Sequence, residues 1–178
     1  MIDGVDAEGI TIGDRVTITF RNTNCKSGDY SHLVAHPRPS HADLTQRIKY
    51  GEEYNLAGGG MASGRMTVAL VAAGVVAKKL LGGYHFETRL VSVGGSHNEA
   101  EFESIIADAR AAGDSVGGVV ECRASGVARS LGEPFFDSAE SIIAHLLFSV
   151  PAVKGVEFGS GFEGVRLRGS ERNDRFTD

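Results

Sequence analysis

The chain has 178 residues, 42% of them apolar, with 18 basic and 23 acidic side chains and a net charge of −5. That length suits one domain with a real core, and the acidic balance gives no sign of a nucleic-acid surface. No apolar run is long enough for a bilayer, and the opening "MIDGVDAEGI" lacks the basic and apolar parts of a secretion signal, so a cytoplasmic location is expected.

The first expected element is a strand within residues 10–20, "ITIGDRVTITF", where Val16, Ile18 and Phe20 alternate with Arg15, Thr17 and Thr19. A loop of turn formers follows, "RNTNCKSGDYSHLVAHPRP". It leads into a helix over His41–Tyr50, with Ser40 as its cap, Asp43 in the acidic first turn and Gly51 as the stop. His41 then sits at the electropositive end, and Arg38 lies one short loop away. Such a place suits a phosphate or carboxylate, and a histidine there suits a conditional proton donor. An ordinary surface histidine fits the same position.

After the glycine triplet, "GGGMASGR" (58–65) opens a helix from Arg65 to Leu81 that is apolar nearly all round. A helix of that kind is expected to be buried on more than one side, with Gly74 marking a close contact. The loop's amides and Ser63, with Arg65 beside them, form a phosphate cradle; tight packing explains the glycines equally well. The spacing is neither that of a nucleoside-triphosphate loop nor that of a dinucleotide fingerprint. If the two helix starts are adjacent, Arg38, His41, Ser63 and Arg65 make one anion pocket.

A strand is expected over Tyr84–Val93, then a helix announced by "SHNE", with Ser96 and Glu99 as a capping box and Gly113 as the stop. "DSVGGVVECRASGV" resumes strand character, its Asp114 and Ser115 reading as a turn. Asp137 and Glu140 start a helix whose Ile142, Ile143, Leu146 and Leu147 form a buried stripe, with His145 as a core or interface histidine, and which ends before Pro151. Two short strands, "GVEFG" and "GVRLR", precede a polar tail. The mixture is α/β or α+β with a mostly antiparallel sheet, in one core domain over 1–170 and a tail at 171–178. Cys25 and Cys122 stand in no metal-ligand spacing and read as free thiols; Pro37 and Pro39 prevent a helix that would align His32 and His36 with His41 on a metal.

Eight motifs, in order, carry a family resemblance: "RNTNCKSGDYS", "PRPSHAD", "KYG", "GGGMASGRMT" with "VAAGVVAKKLL", "GDSVGGVVE", "LGEPFFDS", "SVPAVKGVEFGSGF" and "RGSERND". Together they resemble segments of chorismate synthase, over most of the chain outside 1–10 and 83–100. The resemblance implies an α/β fold with helices layered between mostly antiparallel sheets, incomplete at both ends, and a homotetramer. It implies a lyase of aromatic amino acid biosynthesis that eliminates phosphate from 5-enolpyruvylshikimate 3-phosphate to give chorismate, with reduced FMN. By motif, His41 matches a proposed acid at the phosphate end; Met61, Ala62 and Ser63 match a flavin contact, as do Pro151 and Ala152. Arg38 and Arg65 are then the expected phosphate-binding cations.

The departures are specific. The family's "GESHG", "GGILGG" and "KPTSS" motifs, and the aspartate near the family's C-terminus that is implicated in proton removal, are not in this sequence, Ser40 replaces a glycine, Ala57 stands where an arginine is usual, and Met61 stands where Arg or His is usual. Little or no turnover is therefore expected of this chain alone. The alternative is a non-catalytic flavin- or phosphate-binding module, or a subunit completed by a second chain.

Overall fold

The computed structural model of the chain describes residues 1–13, 15–23 and 26–176, so the expected free thiol of Cys25 lies outside the described residues. The fold is mixed α/β, with small antiparallel sheets and helices. Two compact units emerge: one comprises Met1–Gly74 and resumes at Gly132, and the other is Val75–Leu131. Among the described residues no helix is long and apolar enough to cross a membrane.

The unit Val75–Leu131 is the more regular. Two strands that the alternating sequence announced, β3 (His85–Val93) and β4 (Gly118–Ser125), pair antiparallel from His85↔Ser125 to Val93↔Gly118, with an irregularity between Leu90 and Ser92. The glycine belongs there because a Cβ on Gly118 would lie 2.6 Å from the Ser92 carbonyl oxygen. Helix α3 (Glu99–Ala111) lies against β3, and Val93 and Phe102 are buried. Its cap is Asn98, whose side chain accepts from Ala100 N, and not the expected Ser96. The Ser96 hydroxyl instead donates to Glu101 at 2.6 Å and accepts from Asn98 N. Gly113, at φ 68, ends the helix as expected. Cys122 is a free, exposed thiol on β4.

In the other unit the backbone is mostly turns. The expected strand over 10–20 shrinks to β2 (Thr17–Ile18), paired with β1 (Ile2–Asp3). Ahead of it the Asp6 carboxylate collects the amides of Glu8 and Ile10, which curls the chain before a longer strand can form. A 3-10 segment, Ser27–Val34, occupies the expected loop. Helix α1 runs Asp43–Tyr50, with Ala42 in the cap position and no side-chain cap. Ser40 cannot cap it, because Ser40 stands at φ 60, whereas a capping residue needs extended backbone.

Helix α2 (Thr67–Leu80) follows a 3-10 turn, Gly64–Met66. The expected burial is not found: no α2 residue is buried, and Val71 is 68% and Leu80 81% exposed. Gly74 has nothing within 4 Å of its Cβ position, so it marks no close contact. Helix α4 (Ala139–Leu147), capped by Ser138, likewise leaves Ile142, Ile143, Leu146 and Leu147 exposed, and His145 is exposed rather than in a core. Both expectations read apolar stripes correctly as sequence and lacked the elements that would cover them. "GVEFG" stays unpaired, and "GVRLR" enters a 3-10 segment, Gly161–Arg166, whose short-range bonds leave no ladder for a strand. The tail begins with a one-turn helix, α5 (Gly169–Arg172), stapled by Arg168 N donating to Glu171.

Candidate functional site

One wall of the site is the turn before α1. The backbone N–H, Nε and Nη2 of Arg38 all donate to the Asp43 carboxylate, at 3.1, 2.8 and 2.9 Å. Asp43 is 2% exposed, so this fork-to-carboxylate pair replaces most of the water the charge has lost. Hydrogen bonding from the Arg38 guanidinium outweighs burial and holds the Asp43 carboxyl down at about 2, against a usual 3.8. At the apex of the closed turn stands His41, its Nδ1 3.0 Å from the Pro39 carbonyl. A carbonyl only accepts, so Nδ1 carries the proton and Nε2 is the nitrogen left for a ligand.

The facing wall is the glycine turn Ala57–Ala62, where Gly58, Gly59 and Gly60 take φ 70, 84 and 58. Gly60, with ψ −148, occupies a region open to glycine alone, and a Cβ there would lie 2.9 Å from the Tyr54 hydroxyl. That hydroxyl accepts from Met61 N at 3.4 Å. Ser63 follows in extended conformation, and its carbonyl accepts from Met66 N, starting the turn into α2. Arg65 folds back so that its Nη1 is 3.3 Å from the Gly58 Cβ position, while its Nη2 donates to the Tyr30 hydroxyl at 3.5 Å. Any side chain at 58 would press on the guanidinium.

Between the walls lies a cavity of about 200 Å³, lined by Tyr30, Arg38, His41, Asp43, Ser63 and Arg65, with Ala62 and glycine backbone at its margin. Among the described residues no carboxylate pairs with Arg65, whereas Asp43 matches Arg38. The cavity therefore carries surplus positive charge from Arg65 alone, and more when His41 is protonated. Its volume and sign suit the end of one anion.

Of the residues singled out in the sequence, Arg38, His41, Ala62, Ser63 and Arg65 meet at this cavity; Met61, Pro151 and Ala152 do not line it. Met61 is exposed beside it, and Ala152 sits at φ 71 in the turn after α4. One detail of the expectation changes: Arg38, His41, Ser63 and Arg65 come from the turns that precede α1 and α2, whereas Asp43 is the first residue of α1 and Tyr30 belongs to the 3-10 segment Ser27–Val34. Sequence reasoning passed over Tyr30 and took Asp43 only as a helix-start residue. Tyr30 reaches Arg65 across 35 positions, which no local pattern signals.

Comparison with known proteins agrees over the whole length. The profile of the family described as chorismate synthase matches residues 1–178. A chorismate synthase of Chitinophaga pinensis is 50% identical over 169 residues, covering 94% of this chain and 50% of that protein. One from Nitratidesulfovibrio vulgaris is 41% identical over 189 residues, covering 94% and 53%. A crystal structure of chorismate synthase superposes with a TM-score of 0.67 at 31% identity, covering 75% of this chain and 51% of that one. The chain thus spans about half the length of the curated relatives it matches. It belongs to the chorismate synthase family.

Proposed function

We propose that the cavity between the Arg38–Asp43 turn and the glycine turn is the phosphate end of a chorismate synthase-type site. The substrate is then 5-enolpyruvylshikimate 3-phosphate, which loses phosphate and a ring proton to give chorismate in aromatic amino acid biosynthesis. The single observation behind this reading is that His41 and Ser63, from separate turns, line one cavity with Arg65, which no carboxylate among the described residues neutralises. In it Arg65 holds the phosphate charge, Arg38 adds the edge of a guanidinium already anchored to Asp43, and the Ser63 hydroxyl donates to a phosphate oxygen. His41, with Nδ1–H committed to Pro39, has Nε2 free toward the cavity, and as the imidazolium it offers the Nε2 proton to the departing phosphate.

The reading carries reduced FMN as cofactor. Small residues support it: Ala62, Ser63 and the backbone of Gly58 and Gly59 leave the margin of the cavity open to a flat group, and exposed Met61 offers it an apolar contact. Pro151 and Ala152 are the second contact on this reading. When bound, reduced FMN supplies electron density to the carbon–oxygen cleavage with no net redox change. The cavity itself holds one ligand end only, so the flavin ring lies outside it. A cytoplasmic homotetramer belongs to the same proposal.

Calorimetry of the 178-residue chain with 5-enolpyruvylshikimate 3-phosphate tests it. Saturable binding is expected, weakened by roughly 10- to 100-fold in Arg65→Gln, as for loss of one charge-assisted bond. Little or no chorismate forms from the chain alone. Absence of binding heat sinks the reading. A second reading, a part completed by a further polypeptide, is favoured by the uncovered apolar sides of α2 and α4. Co-purification with a protein bearing the family's remaining motifs, and turnover by the pair, would distinguish it.

A further inference from the structure

A buried carboxylate in the wall of a cavity built for an anion opposes its own ligand, so its presence needs a separate cause. Among the described residues the Asp43 carboxylate accepts only from Arg38: two bonds from the guanidinium and one from the backbone N–H. The residues between them include Pro39, whose carbonyl holds the His41 ring, and Ser40 at φ 60. A non-glycine residue persists in that left-handed region only where its surroundings over-determine it. The backbone bond from Arg38 to Asp43 closes that loop of chain, and His41 N adds only a long 3.4 Å bond to the Arg38 carbonyl.

We infer that Asp43 is a positioning residue: by clamping Arg38 it fixes the turn that presents the His41 ring to the cavity in its Nδ1–H form. Without the clamp Ser40 relaxes toward extended backbone, the Pro39 carbonyl swings away, and the imidazole loses the partner that sets its tautomer. Arg38 is anchored by the same bonds through Nε and Nη2, and among the described residues none occupies its Nη1, which stays available to the ligand. The inference deepens the anion-site reading and rests on it for the ligand measurement below, though not for the ring measurement.

The experiment is Asp43→Asn in the 178-residue chain, followed by two readouts. The ring nitrogen NMR shifts of His41 are expected to show one Nδ1–H tautomer in the parent protein and a mixture in the variant. Titration with inorganic phosphate is expected to weaken about tenfold in the variant, the loss that follows when one charge-assisted contact is misplaced. The sign is diagnostic: if Asp43 acted only as a negative charge, removing it would tighten phosphate binding. An unchanged tautomer, or tighter phosphate binding, overturns the inference. If the parent binds no phosphate while the variant still loses its tautomer, the anion-site reading falls and the positioning role stands. Should Asp43→Asn fail to fold, Arg38→Lys keeps the charge and removes the fork; it is expected to mix the tautomers too, and an unmixed ring there overturns the inference as well.

Discussion

The β3–β4 hairpin and the walls of the cavity both have to give their backbone polar groups partners, and they do so by opposite means. In the hairpin the partners are other backbone groups, from His85↔Ser125 to Val93↔Gly118. In the segment from Pro37 to Met66 short backbone turns are held at three points by side chains: Asp43 for Arg38 N, Asn55 for Ala57 N at 2.9 Å, and Tyr54 for Met61 N. A ladder is indifferent to most side-chain changes, because every residue contributes the same groups. A turn assembled by side chains has named points of failure. The site region trades robustness for the freedom to place His41, Ser63 and Arg65 where no regular element would put them.

Each region also hangs on few buried apolar groups, and the largest expected effects come from removing them. Phe102, 7% exposed, anchors α3, and Phe102→Ala is expected to cost about 3–5 kcal/mol. Leu33, 1% exposed, anchors the 3-10 segment Ser27–Val34 beside the glycine turn, and Leu33→Ala is expected to cost about 2–4 kcal/mol. Amide hydrogen exchange sharpens the comparison. Phe102→Ala should speed exchange along β3 and β4, whereas Leu33→Ala should act on the Ala57–Ala62 turn and leave the ladder protected. Equal loss of protection everywhere in both variants would mean that the contrast between ladder and turn has no energetic counterpart.

Acid provides a gentler way to separate the regions. The Asp43 carboxyl is held at about 2, below its usual 3.8, so the clamp's contribution is fully present above pH ~4 and fades as pH falls toward 2. With Asp43 buried but the Arg38 side chain 35% exposed to screening water, that contribution is about 1–2 kcal/mol. Urea unfolding followed at the site turn between about pH 5 and about pH 2 should show this loss, and Asp43→Asn should abolish the dependence. A slope that survives the substitution would assign the acid sensitivity to another carboxyl.

The contrast also explains what could be read in the sequence. The strand ending at Val93, the helix closed by Gly113 and the strand within "GVVECRAS" were legible because period and punctuation are local signals. The convergence of His41 with Ser63 was legible only as two separate glycine- and proline-marked turns that both suited an anion. Tyr30, the clamp on Asp43 and the left-handed Ser40 were not, since each is fixed by a partner several residues to tens of residues away. Helices α2 and α4 failed in another way: an apolar stripe states that a face wants covering and says nothing about whether the cover lies in the same stretch of chain.

The smallest expected effect tests the regular region where sequence and structure disagree about one residue. "SHNE" offers Ser96 as cap with Glu99 three positions on, but the structure shifts the register by two. Asn98 holds the cap position, its Oδ1 accepts from Ala100 N at 3.3 Å, and its Nδ2 donates to Glu101 at 2.9 Å. Ser96 supports this arrangement from outside the helix, through its bonds to Glu101 and Asn98 N. The cap bond satisfies a helix amide that has no other partner among the described residues, whereas the Ser96 bonds lie outside the helix and are replaceable by water. Asn98→Ala is therefore expected to cost about 1 kcal/mol, and Ser96→Ala about 0.5 kcal/mol or less, in thermal melts followed by α3 helicity. The reverse order would restore Ser96 as the cap. It would also show that the register of α3 depends on the hydroxyl–carboxylate bond to Glu101 more than on the amide bond that gives the helix its first turn.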